Sequence, residues 1–383
     1  MRMPSTALAP RTGAAPIKRA VCHTMRTIMH SNRLHLLLPF ALPTAADASS
    51  ALHDLRSPAL DKLLARATLV ERVAGEDFQR TLAHERWVAR RFGAVAANAA
   101  DEAPLAPYML LADGGTPGDA RWACVEPVHV RIAHDHLVLI DPSALDLTDE
   151  DAASLLATAR PLIEELGVRV EAPTPHRWYL TGDALGALAG ASPLRASGRS
   201  IEIWLPHDAQ TGQRSRIWMK LQNEVQMGWF EHPVNEAREA RGLPAVNSIW
   251  LHAQGAAQPV RSPFVRVLSD AAATRGLALA ASVEAAAAPA SFKAMPPLEA
   301  GETLVELGSF AAPFIAQDWA AWQAALDALE RDWFAPALEA LDSGRLGMLA
   351  LTLAGDTGSA TLTATRSDLR KFWRRRVLAS LFE

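Results

Sequence analysis

The reading of this chain turns on residues 232–255, HPVNEAREARGLPAVNSIWLHAQG. A helix follows the His232-Pro233 break and stops at Gly242, a Leu243-Pro244 turn comes next, and 245–251 have the unbroken apolar character of a buried strand. Arg238 and Arg241 alternate with Glu236 and Glu239 on the helix, a pattern that most often marks an ion-paired helix surface. What the segment does depends on the regions that flank it.

Three regions flank and include it. Residues 30–121 begin with the apolar strand LHLLLPF and continue in the helical patterns SPALDKLLARATLVERV and FQRTLAHERWVARRFG, closed by Gly93. They end in the turn-rich LADGGTPGDA, where the Asp113 DGG has no motif value. Residues 122–246 change character. CVEPVHVRIAHDHLVLI reads as two short strands about a turn at 133–135, and LTDEDAASLLATARPLIEELG as a helix capped by Thr148 with Asp151 in the capping-box position. VRVEAP and HRWYLTG add two strands, and SRIWMKLQNEVQMGWF a helix with Ile217, Leu221, Val225 and Trp229 on its apolar face.

In residues 247–383, strand-like runs (SIWLHA, ETLVELGSF, GMLALTLAG, SATLTAT) alternate with the long helical pattern DWAAWQAALDALERDWFAPALEALDSG. ASVEAAAAPASFKAMPPLEAG reads as a loop or lid. The alternation predicts an α/β sheet with helices on its faces, and the middle region reads as a compact α+β unit.

Composition narrows the function classes. At 383 residues and 49% apolar composition the chain builds a real core, and a net charge of −4 argues against a sequence-independent nucleic-acid binder. Two cysteines, Cys22 and Cys124, offer neither a disulfide framework nor a CxxC site, which fits a reducing cytoplasm. No apolar run reaches the ~18–20 residues that cross a bilayer, so no membrane partner is expected. Residues 1–33 are basic and free of acidic residues ahead of LHLLLPFAL. A secretory leader has that order, but Pro39 within a short apolar core favours a buried first strand behind a disordered or spurious extension over 1–29, with Met29 as the true start.

Candidate chemistry is sparse. His129, His134 and His136 crowd a hairpin turn, where exposure explains them better than a metal. Arg214 and Arg216, with Lys220, gather near a helix start that could hold an anion, and with Arg238 and Arg241 they are the candidate contacts to a phosphorylated ligand. Trp218, Trp229 and Phe230 recur at helical spacing, which is core rather than a stacking platform. GxSxG, Walker A, HExxH and strand-linked GxGxxG motifs are all missing.

The connector also carries a resemblance. HPVN, the basic run, Gly242, an Asn-containing strand, Ile-Trp-Leu and Gln-Gly resemble, in that order, a segment of archaeal-type cofactor-independent phosphoglycerate mutases. With WMKLQNEVQM and CVEPVHVRI, the whole chain is similar to the narrower bacterial group of RpfE-type regulatory proteins. The resemblance implies an alkaline-phosphatase-like α/β domain split into 30–121 and 247–383, with 122–246 inserted and His232, Asn235, Asn247, Trp250, Gln254 and Gly255 at the domain junction.

It also implies two divalent metals and a Ser nucleophile, and here the chain departs from the family. The first strand runs LHLLLPFALP without a carboxylate, and no matching Ser motif follows. His252 is the last histidine, and LTLAGDTG keeps Asp356 as a possible metal-site vestige with Thr357 where the family has His. The expectation is a scaffold that has lost metal-dependent phosphotransfer, with no catalytic residues and no cofactor, acting as a regulatory or phospho-ligand-binding protein with a possible protein partner. The alternatives are an active phosphomutase or phosphohydrolase holding Mn or Zn, and a purely structural partner-binding protein.

Overall fold

The computed structural model describes residues 32–44, 46, 55–96, 102–185, 188–209 and 211–381; the expected extension over 1–29 and Cys22 lie outside them. The central strand is β1 (Asn32–Leu42), buried from Leu34 onward. It is flanked by parallel strands on both sides, as near-continuous apolar strands are. The strands before the small sheet and after it are β2 (Thr68–Val73), β11 (Arg266–Leu268), β12 (Glu284–Ala286), β13 (Gly301–Glu306), β14 (Met348–Gly355) and β15 (Ser359–Thr365). They form one sheet in the order β12-β11-β13-β1-β14-β15-β2, in which β12 to β14 are parallel and the β14-β15-β2 edge is antiparallel.

One face of this sheet is covered by α1 (Pro58–Arg66), α8 (Trp319–Leu329) and α9 (Ala335–Ser343), through Leu60, Leu63, Trp322, Leu326 and Leu341. The other is covered by α2 (Ala83–Phe92), α3 (Ala106–Ala112) and α7 (Ala272–Ala280). α3 and α7 approach so closely that a Cβ on Gly276 would stand 1.8 Å from the Tyr108 carbonyl oxygen.

The same helical layer carries a second sheet on its far side. Strands β3 (Arg121–Val128), β6 (Arg169–Thr174), β7 (Arg177–Thr181) and β10 (Ser248–Ala256) are ordered β10-β3-β7-β6, all antiparallel. Trp122, Cys124, Tyr179 and Ala253 join the core of α2, α3 and α7, while Ala123, Val125, Ile249 and Leu251 face α4 (Asp149–Glu164) and α5 (Arg216–Phe230). The side-chain alternation of a strand thus divides β3 and β10 between two cores. Hairpin β4 (Val130–Ala133) and β5 (His136–Leu139) and the small pair β8 (Leu188–Ala189) and β9 (His207–Asp208) complete the inserted unit.

The α/β class, with a helix-flanked sheet interrupted by a smaller α+β unit, is the one expected. Thr148 caps α4 by accepting from the Asp151 amide, and Gly242 ends α6 (Pro233–Ala240) with φ +71°. Several local readings differ; the Ala-rich piece taken as a loop or lid contains edge strand β12, paired parallel with β11. TLVERV, taken as helix, is edge strand β2, whose mostly exposed side chains leave too little apolar contrast to tell the two periods apart. Ile217 is exposed, and the buried face of α5 is Trp218, Leu221, Val225 and Trp229, whose spacing follows 3.6 residues per turn more closely. Residues 247–251 do not re-enter the large sheet: β10 pairs with β3, and the chain reaches the large sheet only at β11. Among the described residues, no helix is long and apolar enough to cross a membrane.

Candidate functional site

In an open parallel sheet the natural binding crevice lies beyond the carboxyl ends of the strands. Here β11 runs out into Ser269 and Asp270, β13 ends in Glu306, and β14 leads to Asp356. A cavity of about 390 Å³ opens beyond the β11 and β13 ends and is roofed by the second sheet. Its polar lining is His84 and Glu85 from α2, Glu126 from β3, Arg177 from β7, His252 from β10, Asp270, Thr274 and Glu306, with Asp141, Ser143 and Ser192 from loops.

Carboxylates dominate this wall. Glu306 accepts a hydrogen bond from the Ser269 hydroxyl at 2.7 Å, and burial pushes its carboxyl up from the ordinary value. Glu85 accepts from the Leu82 amide at 2.6 Å and the Ser192 hydroxyl at 3.0 Å; burial raises its carboxyl as well. His84 is 7% exposed and its Nδ1 has no partner; burial, aided by Arg86, holds it down at about 3, so the ring is neutral. The one arginine of the lining, Arg177, is already engaged: Nε and Nη2 donate to Asp113 at 2.8 and 2.6 Å. The Tyr179 hydroxyl donates to the same Asp113 carboxylate at 2.5 Å. Asp113, without value as a motif, is therefore the anchor that ties the end of α3 to the second sheet.

On the roof, antiparallel register sets His252 opposite Cys124 and Cys124 opposite Tyr179, with Glu126 two residues along the same face of β3. His252 Nε2 lies 3.0 Å from Glu126 Oε1. A bulge with Ala253 at φ +62° follows directly and turns the strand toward Gly255, which packs on Pro104 ahead of α3.

At the end of β14 the arrangement is the reverse. Asp356 Oδ2 receives Arg195 at 2.7 Å and Arg199 at 2.8 Å. Arg195 is 2% exposed and donates further to the carbonyls of Asp77 (2.7 Å), Gln79 (3.0 Å) and Asp356 (3.1 Å), with its guanidinium 4.8 Å from the Trp204 ring centre. A divalent cation bound by Asp356 would sit against the two guanidinium groups on Oδ2, which disfavours a metal pair, although Oδ1 is buried without a hydrogen-bond partner.

No protein-family model matches the chain, and no curated protein does. Among solved structures it is similar to the PH0037 protein of Pyrococcus horikoshii, at 12% identity over 92% of each chain with a TM-score of 0.49. It is also similar to a cofactor-independent phosphoglycerate mutase of Thermoplasma acidophilum, at 12% identity over 92% of this chain and 94% of that one with a TM-score of 0.41. At those values the likeness assigns neither an activity nor a residue role.

The arginines singled out in the sequence lie away from the cavity wall. Arg238 is fully buried and caps the carbonyls of Pro244, Leu145 and Asp146 at 2.9, 2.5 and 3.3 Å, leaving no side open to an anion. Arg214, Arg216 and Arg241 are exposed, with Arg241 3.9 Å from Asp151.

The junction residues work mainly inside the inserted unit. The His232 ring accepts from the Val234 amide, and Asn235 bridges Trp229 to both backbone groups of Val246. Asn247 pairs with both backbone groups of Val130 like one more strand residue, and Trp250 donates to Ala191. The Gln254 amide nitrogen is buried without a partner. Trp218 and Trp229 are core, while Phe230 is exposed; His134 occupies the turn of the β4–β5 hairpin.

Sequence reasoning missed His84, Glu85, Glu126, Arg177, His252 and Glu306 as a group. Each fits the pattern of its own helix or strand, and only the packing of two sheets on one helical layer brings them to one cavity.

Proposed function

We propose that this chain is a phosphoglycerate-mutase-like protein of the RpfE type that has lost two-metal phosphotransfer and acts as a small-ligand binding protein. The observation that carries the reading is the Arg195 and Arg199 pair on Asp356. Two-metal phosphoryl transfer needs cations to clamp the attacking and leaving oxygens, and here fixed guanidinium groups neutralise the late-strand carboxylate. The sequence supports it independently through the strand end of β1, which lacks a carboxylate, and Thr357 in place of histidine.

The ligand site in this reading is the cavity between the sheets. Glu85, Glu126, Asp141, Asp270 and Glu306 face it, and Arg177 is held by Asp113. Such a wall favours a hydroxyl- or amine-bearing molecule and repels a bare phosphate, so a phosphorylated acid would enter only with a bridging cation. Arg214 and Arg216 remain a separate surface for an anion at the start of α5.

The test is steady-state interconversion of 2- and 3-phosphoglycerate by the full chain in excess Mn²⁺ or Zn²⁺. The reading expects no turnover above the protein-free rate. Multiple turnovers lost in Asp356→Asn would overturn it and restore the phosphomutase alternative.

A further inference from the structure

Among the described residues, one group of side chains has the composition and spacing of a metal site. The donor atoms of Cys124, Glu126 and His252 all lie within 4.8 Å of one another. They stand on paired strands, so their backbone positions are held by the β3–β10 ladder rather than by a loop. Glu126 and His252 line the cavity, which gives a ligand or water access to the same point. The same cavity is also lined by His84, more than nine-tenths buried, with a ring nitrogen that has no hydrogen-bond partner.

We propose that Cys124 Sγ, the Glu126 carboxylate and His252 Nε2 form a three-ligand site for a single divalent metal of the zinc class, with the fourth position open to the cavity. One sulfur, one nitrogen and one oxygen donor suit Zn²⁺ or Co²⁺; Mg²⁺ and Ca²⁺ take oxygen ligands. Three protein ligands with an open fourth position is the pattern of zinc sites that bind water or substrate.

The balance of the binding step is simple. The metal replaces the thiol proton on Cys124 and the hydrogen that His252 Nε2 shares with Glu126; in a neutral His252 ring that hydrogen moves to Nδ1 by tautomer exchange, so one proton, the thiol's, leaves to solvent for each metal bound. Metal-free, burial keeps that thiol well above its ordinary value and so protonated. The proposal builds on the cavity as the ligand site, and the cation would let an acid-walled cavity accept an anionic ligand.

The experiment is titration of the full metal-free chain with Co²⁺ alone, followed by absorbance. One equivalent is expected to give a near-ultraviolet thiolate-to-cobalt band together with visible bands of tetrahedral intensity. Cys22→Ser should leave the spectrum unchanged, Cys124→Ser should remove the near-ultraviolet band, and His252→Gln should weaken binding by at least tenfold.

Glu126 is only partly buried, so Glu126→Gln tests the site where Cys124→Ser does not fold, and it too should lose at least tenfold. No stoichiometric binding, a thiolate band that survives Cys124→Ser, or unchanged affinity in Glu126→Gln would overturn the proposal. The readout needs no turnover: its failure leaves the loss of phosphotransfer standing, and phosphoglycerate turnover would refute that loss without touching the cobalt spectrum.

Discussion

Arg195→Met is the perturbation whose size follows most directly from the structure. It keeps the aliphatic stem and removes a buried guanidinium that serves the carbonyls of Asp77, Gln79 and Asp356 as well as the Asp356 carboxylate. Breaking a buried ion pair from one side typically costs about 3–5 kcal/mol, because the remaining charge is left uncompensated. Arg199 still holds Asp356 at 2.8 Å, which places the expected loss near the lower end, about 3 kcal/mol.

Urea unfolding of the full chain measures it, with the shift in midpoint multiplied by the slope giving the loss where the transition is two-state. Asp356→Asn in the same background removes the stranded charge and should recover part of the loss, so the double-mutant cycle shows a coupling above about 1 kcal/mol. A loss below about 1 kcal/mol for Arg195→Met, or additive effects of the two substitutions, would refute the picture of a guanidinium locked on that carboxylate.

Other outcomes follow from the same contacts. Arg238→Ala should destabilise by about 2–4 kcal/mol, since a buried guanidinium and its hydrogen bonds to one buried and two partly buried carbonyls are lost, whereas Arg214→Ala and Arg216→Ala on the exposed start of α5 should stay within about 0.5 kcal/mol; chemical denaturation separates the two classes. Gly276→Ala would normally strengthen a helix by about 1 kcal/mol, but the Tyr108 carbonyl 1.8 Å from the new Cβ reverses the sign, and a lowered melting temperature checks it.

For pH, the His84 ring is lowered from 6.5 to about 3, so its contribution to stability is present above 6.5 and is lost as pH falls toward 3. His84→Leu should flatten that acid limb. Glu306 acts oppositely: its raised carboxyl gives stability that is present below its ordinary 4.5 and lost as pH rises through the folded value, and Glu306→Gln should remove that loss. Stability profiles from pH 3 upward read both.

The fold was legible where local chemistry is decisive. The apolar run of β1 reads as a buried strand, and Thr148 and Gly242 mark helix ends because a cap side chain and a left-handed glycine are needed there. The arginine-rich helix end was legible as polar surface, but Arg238 was not legible as buried, because its partners are backbone carbonyls that any sequence could supply.

The partner of β10 was not legible either. Ser248 to Leu251 are apolar enough for either sheet, and only the β3 ladder decides between them. The cavity was hidden for a geometric reason: Glu85, Glu126, His252 and Glu306 come from four elements far apart in the chain, and each obeys its own element's period.

Whether Asp356 is closed to a catalytic metal pair is read by phosphate NMR of 3-phosphoglycerate incubated with the full chain in excess Mn²⁺. A spectrum unchanged from the protein-free control is expected. Catalytic appearance of 2-phosphoglycerate, abolished by Asp356→Asn, would contradict it.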